Sequence, residues 1–174
     1  MKINSSNNNV LLRILFVSCI LGIVFVGGCY SFTGGTIPEH LKTLNIGSVS
    51  DRSGYGDPRY REMLEQLLVD NFQTDGSFDI VERGGDAKLT TTIISINDQM
   101  MTVRPGESET ERKITVNCEI EYYDVIKKKV LREKTYSNFD VYELTNPQQG
   151  RIDAISNALK QVSDDILFDI ISGW

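Results

Sequence analysis

The stretch ITVNCEIEYY, residues 114–123, decides the architecture. Ile114, Val116, Cys118, Ile120 and Tyr122 share one parity, and Thr115, Asn117, Glu119 and Glu121 share the other. Successive side chains of a strand point to opposite faces, so this alternation describes a strand with one dry face and one wet face. A sheet wetted on one side is the habit of antiparallel pairing, because all-parallel sheets are covered on both sides. The dry face needs a covering layer.

Outward from that strand, the neighbours fall into place. Upstream, Pro105-Gly106 opens a polar loop running to about Glu111, and the β-branched run 88–101 before it reads as a long strand. Downstream, a turn containing Lys127-Lys128-Lys129 leads into a further strand, about 130–141. Leu44 and Ile46 alternate in a first strand expected within 41–49, and Phe78-Asp79-Ile80-Val81 makes a short one. Tyr60, Met63, Leu64, Leu67, Leu68 and Phe72 recur at helical spacing, with Asp57 as N-cap and Pro58 in the first turn. Ile152, Ile155, Leu159, Val162, Ile166 and Ile170 form the stripe of a closing helix. There, Asn146 and Gln149 supply a capping-box pattern around Pro147. The order is β-α-β-β-β-β-α without internal repeat. It predicts an α+β, two-layer sandwich, with both helices on one face of a mixed, mostly antiparallel sheet.

Composition fits one folded domain: 174 residues, 40% hydrophobic and 24% charged. Residues 1–28 contain two of the 18 basic residues, Lys2 and Arg13, and none of the 24 acidic ones. Without them the remainder holds 16 basic and 24 acidic residues, a net charge of −8. A body this acidic is poorly suited to grip nucleic acid.

The N-terminus reads as an export signal. Ile14 to Val26 is almost wholly apolar but shorter than the roughly 20 residues of a spanning helix. Val26-Gly27-Gly28-Cys29 follows, and small residues before a cysteine at the end of such a core resemble the bacterial lipobox. On that reading the signal peptide is 1–28, and Cys29 becomes the lipidated N-terminus, carrying diacylglycerol and an acyl chain such as palmitate. Residues 29–40 form a tether, and 41–174 the folded domain. Cys19 leaves with the signal, so Cys118 has no disulfide partner and is expected to pack as a small hydrophobe.

Catalytic chemistry finds little support. His40 is the only histidine and falls in the tether, so a Ser-His-Asp or Cys-His arrangement has nothing to use. No metal-ligand spacing and no phosphate loop are present, so no metal and no cofactor are expected. Glu119 and Glu121 lie on the wet face, where carboxylates are ordinarily just solvated. Two basic features remain: Arg104 at the tip between the long strands, with Arg112 and Lys113 near the loop's end, and Lys127–Lys129 at the opposite turn. A lysine run in a turn is first of all a solubility feature.

The stretch CYSFTGGTIPEHLKTLNI, residues 29–46, resembles the start of mature LptE-family lipoproteins of the Bacteroidota type. The similarity continues through Asp70-Asn71-Phe72, the Gly-Asp-Ala entry to a long strand at 85–87, Ile114-Thr115-Val116, and a closing helix ending in Trp174. The resemblance implies a non-enzymatic lipoprotein held on the periplasmic face of the outer membrane. Its partner would be an LptD-type β-barrel, which such proteins plug and help to fold for lipopolysaccharide (LPS) transport. Arg104 matches a basic loop position with which some members bind LPS, and Arg112 and Lys113 join it as candidate LPS-binding residues. A guanidinium can clasp a lipid A phosphate bidentately, and Met100, Met101 and Val103 offer apolar contacts to acyl chains. Glu107, Glu109 and Glu111 lower the positive potential of the same loop. Two other readings stay open. One is an accessory of another envelope machine, a CsgG-like secretion pore or a peptidoglycan synthase activator, whose domains share phrases like Phe78-Asp79-Ile80-Val81-Glu82-Arg83. The other is an envelope hydrolase.

Overall fold

The computed structural model describes residues 37–101 and 110–173. The expected signal peptide, Cys29 with most of the expected tether, Arg104 with Val103, Glu107 and Glu109, and Trp174 lie outside the described residues. The elements run β1 (Thr43–Ile46), β2 (Ser50–Asp51), α1 (Pro58–Asp75), β3 (Asp79–Ile80), β4 (Ala87–Met100), β5 (Glu111–Asp124), β6 (Lys129–Glu143) and α2 (Pro147–Ser172). They form one mixed sheet in the order β3-β1-β4-β5-β6, with β2 also paired to β4. The β1 and β2 pairings are parallel, and the long β4-β5-β6 meander is antiparallel. The two-layer α+β architecture is therefore as the alternation predicts.

β5 carries the expected parity: Ile114, Val116, Cys118, Ile120 and Tyr122 are all buried. Both helices lie on that face. α1 contributes Tyr60, Leu64, Leu68 and Phe72, and α2 contributes Ile155, Leu159, Val162, Ile166 and Ile170. Each such side chain, fully buried, is worth about 1.5–3 kcal/mol of hydrophobic free energy. Cys118 is a free, buried thiol, and its burial pushes the pKa up to about 12. It stays protonated and acts as a packing group.

α1 starts as expected, with Asp57 accepting from the Arg59 N–H and Pro58 following it. It ends at Gly76, whose φ of 72° is the left-handed conformation that closes a helix, its N–H bonding back to the Phe72 carbonyl. The capping box of α2 does not form. Asn146 makes no side-chain cap bond, and Gln149 bonds instead to Asp153 one turn on. Two further features depart from the sequence reading. The two-residue β2 has too little pattern to be seen. A bulge between Ile93 and Ser95 also shifts the β4 register, so that Ile96 rather than Ser95 takes the next core-facing position after Ile93.

Candidate functional site

The chemistry-bearing side chains collect at the two ends of the meander. With 14 residues in β4, these ends are roughly 45 Å apart at about 3.3 Å per residue. One end is where β4 runs out and β5 begins, flanking the loop that contains Arg104. The other is the β5–β6 turn, beside the point where the described chain starts.

At the loop end Met100 pairs with Arg112 and Gln99 with Lys113. Neighbouring residues of a strand face opposite ways, and this splits the two basic residues grouped by sequence. Arg112 shares the parity of Ile114 and faces the helix layer. Its Nε donates to Asp98 Oδ1 at 2.7 Å. Arg151 of α2 reaches the other oxygen of Asp98 at 2.9 Å, and the Tyr142 hydroxyl donates to it at 2.8 Å. Partial burial alone would raise the Asp98 pKa. The hydrogen bonds from Arg112 and Tyr142 and the charges of both arginines outweigh that and hold it below the usual carboxylate range. The cluster ties β4, β5, β6 and α2 together at the base of the loop.

Lys113 faces the wet side, with its Nζ 3.9 Å from the centroid of the half-exposed Phe139 ring. Such a cation–π contact is worth about 0.5–1 kcal/mol at an exposed site. Met100 is 68% exposed and Met101 stands partly clear of the core beside it. The loop base thus presents two methionines and one lysine outward, while its arginine is turned inward. Asp98, Tyr142 and Arg151 were not singled out by the sequence reading. Parity marks Arg112 as core-facing, but Asp98 joins it only because the bulge shifts the parity of β4, so the pair left no signal in the sequence.

At the turn end Asp124 is fully buried, accepting from the Lys127 N–H at 2.7 Å and bonded by His40 Nε2 at 2.8 Å. Burial would raise the Asp124 pKa, but these two bonds and the neighbouring positive charge keep it lowered. His40, at the boundary of the expected tether, is therefore fastened to the start of the β5–β6 turn. The next residues are fastened too: Asp86 accepts from the Lys42 and Thr43 N–H groups, and Leu41 donates to the Pro38 carbonyl. Gly85, at φ 106°, brings this turn so close to β1 that a Cβ would lie 3.2 Å from the Asn45 nitrogen. A groove of about 800 Å³ opens beside the entry, lined by Ile37, Leu41, Lys42, Phe78 and Ile171 among others. No group of three or more His, Cys, Asp or Glu side chains suited to a metal occurs among the described residues. No helix there is long and apolar enough to cross a membrane.

Comparison with known proteins bears on the fold and the family. No curated protein matches the chain in sequence. Solved structures share the fold. Rare lipoprotein B from Shewanella oneidensis superposes with a TM-score of 0.53 at 16% identity, covering 76% of this chain and 96% of its own. A DUF330 protein from Xanthomonas campestris gives 0.55 at 19%, covering 79% and 91%. The PelC dodecamer subunit from Paraburkholderia phytofirmans gives 0.53 at 12%, covering 80% and 95%. At these identities the likeness is one of fold. The family model for LptE, lipopolysaccharide assembly, matches residues 41–170, almost the whole described domain, and the chain belongs to that family.

Proposed function

We propose that the chain is an outer-membrane lipoprotein, cleaved before Cys29 and acylated there, that partners an LptD-type β-barrel as plug and assembly factor for LPS. The family match over residues 41–170 carries this reading; a place in LPS assembly goes with the family, whose members act without catalysis. The wet sheet face supports the barrel contact. Thr92, Ser95, Thr115, Asn117, Thr135 and Ser137, with the charged Lys88, Lys113, Glu119, Glu121 and Glu133, give it a polar surface suited to the hydrated interior of a β-barrel. The length of the meander supports the division of labour, because a chain anchored near His40 would hold the Arg104 loop far from the lipid attachment.

Affinity purification of the tagged full chain from envelopes tests the partnership. Recovery of an LptD-type barrel is expected, whereas an intact complex built on a secretion pore or a peptidoglycan synthase would replace this reading with the accessory one. Arg104 is proposed as the principal LPS contact, with Lys113 beside it and Arg112 at the loop base. Arg104→Glu should weaken LPS retention about tenfold, the scale of one charge-assisted contact, and leave the barrel complex intact. Equal retention by variant and parent would remove Arg104 from that role.

A further inference from the structure

The β5–β6 turn combines features that solubility alone does not explain. Residues 125–130, Val-Ile-Lys-Lys-Lys-Val, are all exposed, with Val125 at 41%, Ile126 at 54% and Val130 at 46%. Three exposed β-branched residues in the four-residue turn and the first two residues of β6 cost hydrophobic free energy unless something covers them. Lys127, Lys128 and Lys129 stand among them, and none is in a salt bridge with a carboxylate of the described residues. In a chain of net charge −6 this is a concentrated positive point. Lys128 adopts φ 53°, which makes a tight tip that leaves both residue types pointing away from the fold.

The turn's position names the occupant. Asp124, which opens the turn, is the residue that His40 grips, and the Val125 N–H donates to the Asp86 carbonyl beside β1. Residues 29 to 37 cover eight peptide steps. An extended chain reaches at most about 3.6 Å per step, so the Cys29 sulfur stays within roughly 30 Å of the entry point beside this turn. We infer that the VIKKKV turn is a membrane-contact element. Val125, Ile126 and Val130 enter the interfacial zone of the bilayer that holds the lipid anchor, and Lys127–Lys129 meet anionic phospholipid headgroups. The inference rests on the proposed acylation of Cys29 for its geometry, while the contact itself needs only the turn. It orients the domain, with the β5–β6 turn at the bilayer and the Arg104 loop at the far end. Each lysine near an anionic surface contributes about fivefold to the contact equilibrium, provided it lies within a Debye length of about 8 Å.

The test uses the full chain purified from membranes and reconstituted into vesicles of phosphatidylcholine with phosphatidylglycerol, some lipids carrying bromine on their acyl chains. Ile126→Trp places a probe at the turn, and Ser137→Trp places a control on the sheet face. Quenching at least about twofold stronger at position 126 is expected. It should fall to the control level when Lys127→Glu, Lys128→Glu and Lys129→Glu are combined, with circular dichroism confirming an unchanged fold. Flotation of the triple lysine variant, whose turn no longer holds the bilayer, reads the anchor separately. Flotation without quenching at 126 overturns the contact and leaves the anchor standing, whereas quenching without flotation supports the contact and removes the anchor. Absence of both removes both. Equal quenching in pure phosphatidylcholine overturns the role of the lysines. Quenching abolished by addition of the barrel partner would assign the turn to that protein and overturn the membrane contact.

Discussion

The two ends of the meander contain the same ingredients, basic side chains beside exposed apolar ones, and use them in opposite ways. At the loop end, Arg112 is spent on Asp98 and Lys113 rests on Phe139, so described basic groups there are already engaged. At the turn end, the buried carboxylate, Asp124, is taken by His40 and a backbone N–H, and the three lysines remain turned outward. A count of charges treats the ends as equivalent. Strand parity and partner choice decide which charges can meet something else.

The largest test of this contrast is removal of the shared carboxylate at the loop end. Asp98→Ala leaves two guanidinium groups and a tyrosine hydroxyl without their acceptor. After allowance for its partial exposure, this should cost about 2–3 kcal/mol in urea unfolding at pH 7. A loss under about 0.5 kcal/mol would show that the cluster is ornamental and that the two ends do not differ as described.

At the other end, Asp124→Asn keeps an acceptor but loses the charge, and should cost about 1–2 kcal/mol. It should also speed amide exchange at Leu41, whose N–H closes the small turn after Pro38. Unchanged exchange there would mean that His40 does not fasten the entry segment.

Acid should erode both ends. Asp98 and Asp124 both have folded pKa values below the ordinary carboxylate value, so each stabilises the fold above its unfolded pKa. That stability should be fully present above about pH 5 and fall as the pH drops through about 3.9 toward the lower folded values. The slope should become shallower in Asp98→Asn, on the order of 1 kcal/mol less loss between pH 5 and 3. The smallest effect lies between the ends. The Thr91 hydroxyl is buried without a partner among the described residues, so Thr91→Val should be neutral or stabilise by up to about 1 kcal/mol.

Much of this was legible because the physics involved was local. Alternation in 114–123 gave β5 and its dry face, and Asp57-Pro58 gave the start of α1. The stripe from Ile155 to Ile170 gave α2, although Ile152 proved only partly buried. What escaped depends on tertiary placement. β2 exists because β4 offers it an edge, and Ile96 faces the core because a bulge resets the register of β4. Gln149 leaves the cap unmade and bonds Asp153, one turn on, instead. In the candidate site, the basic residues around the loop were visible as a group. That Arg112 and Lys113 part company follows from their adjacent positions on one strand. The fastening of His40 to Asp124, 84 positions apart, had no local signature at all.

The sheet order also has a kinetic side. β4, β5 and β6 join by successive hairpins and can zip together as neighbours along the chain. β1 lies between β3 and β4 and pairs in parallel with both, Thr43 against Asp79 and Leu44 against Ala87. It can be seated only after those later segments have formed, which carries the entropy of closing long loops. The first strand of the chain is thus the one whose place is made last. The N-terminal end of the domain therefore stays slack until the remainder is built, and is drawn in only as β1 slides home.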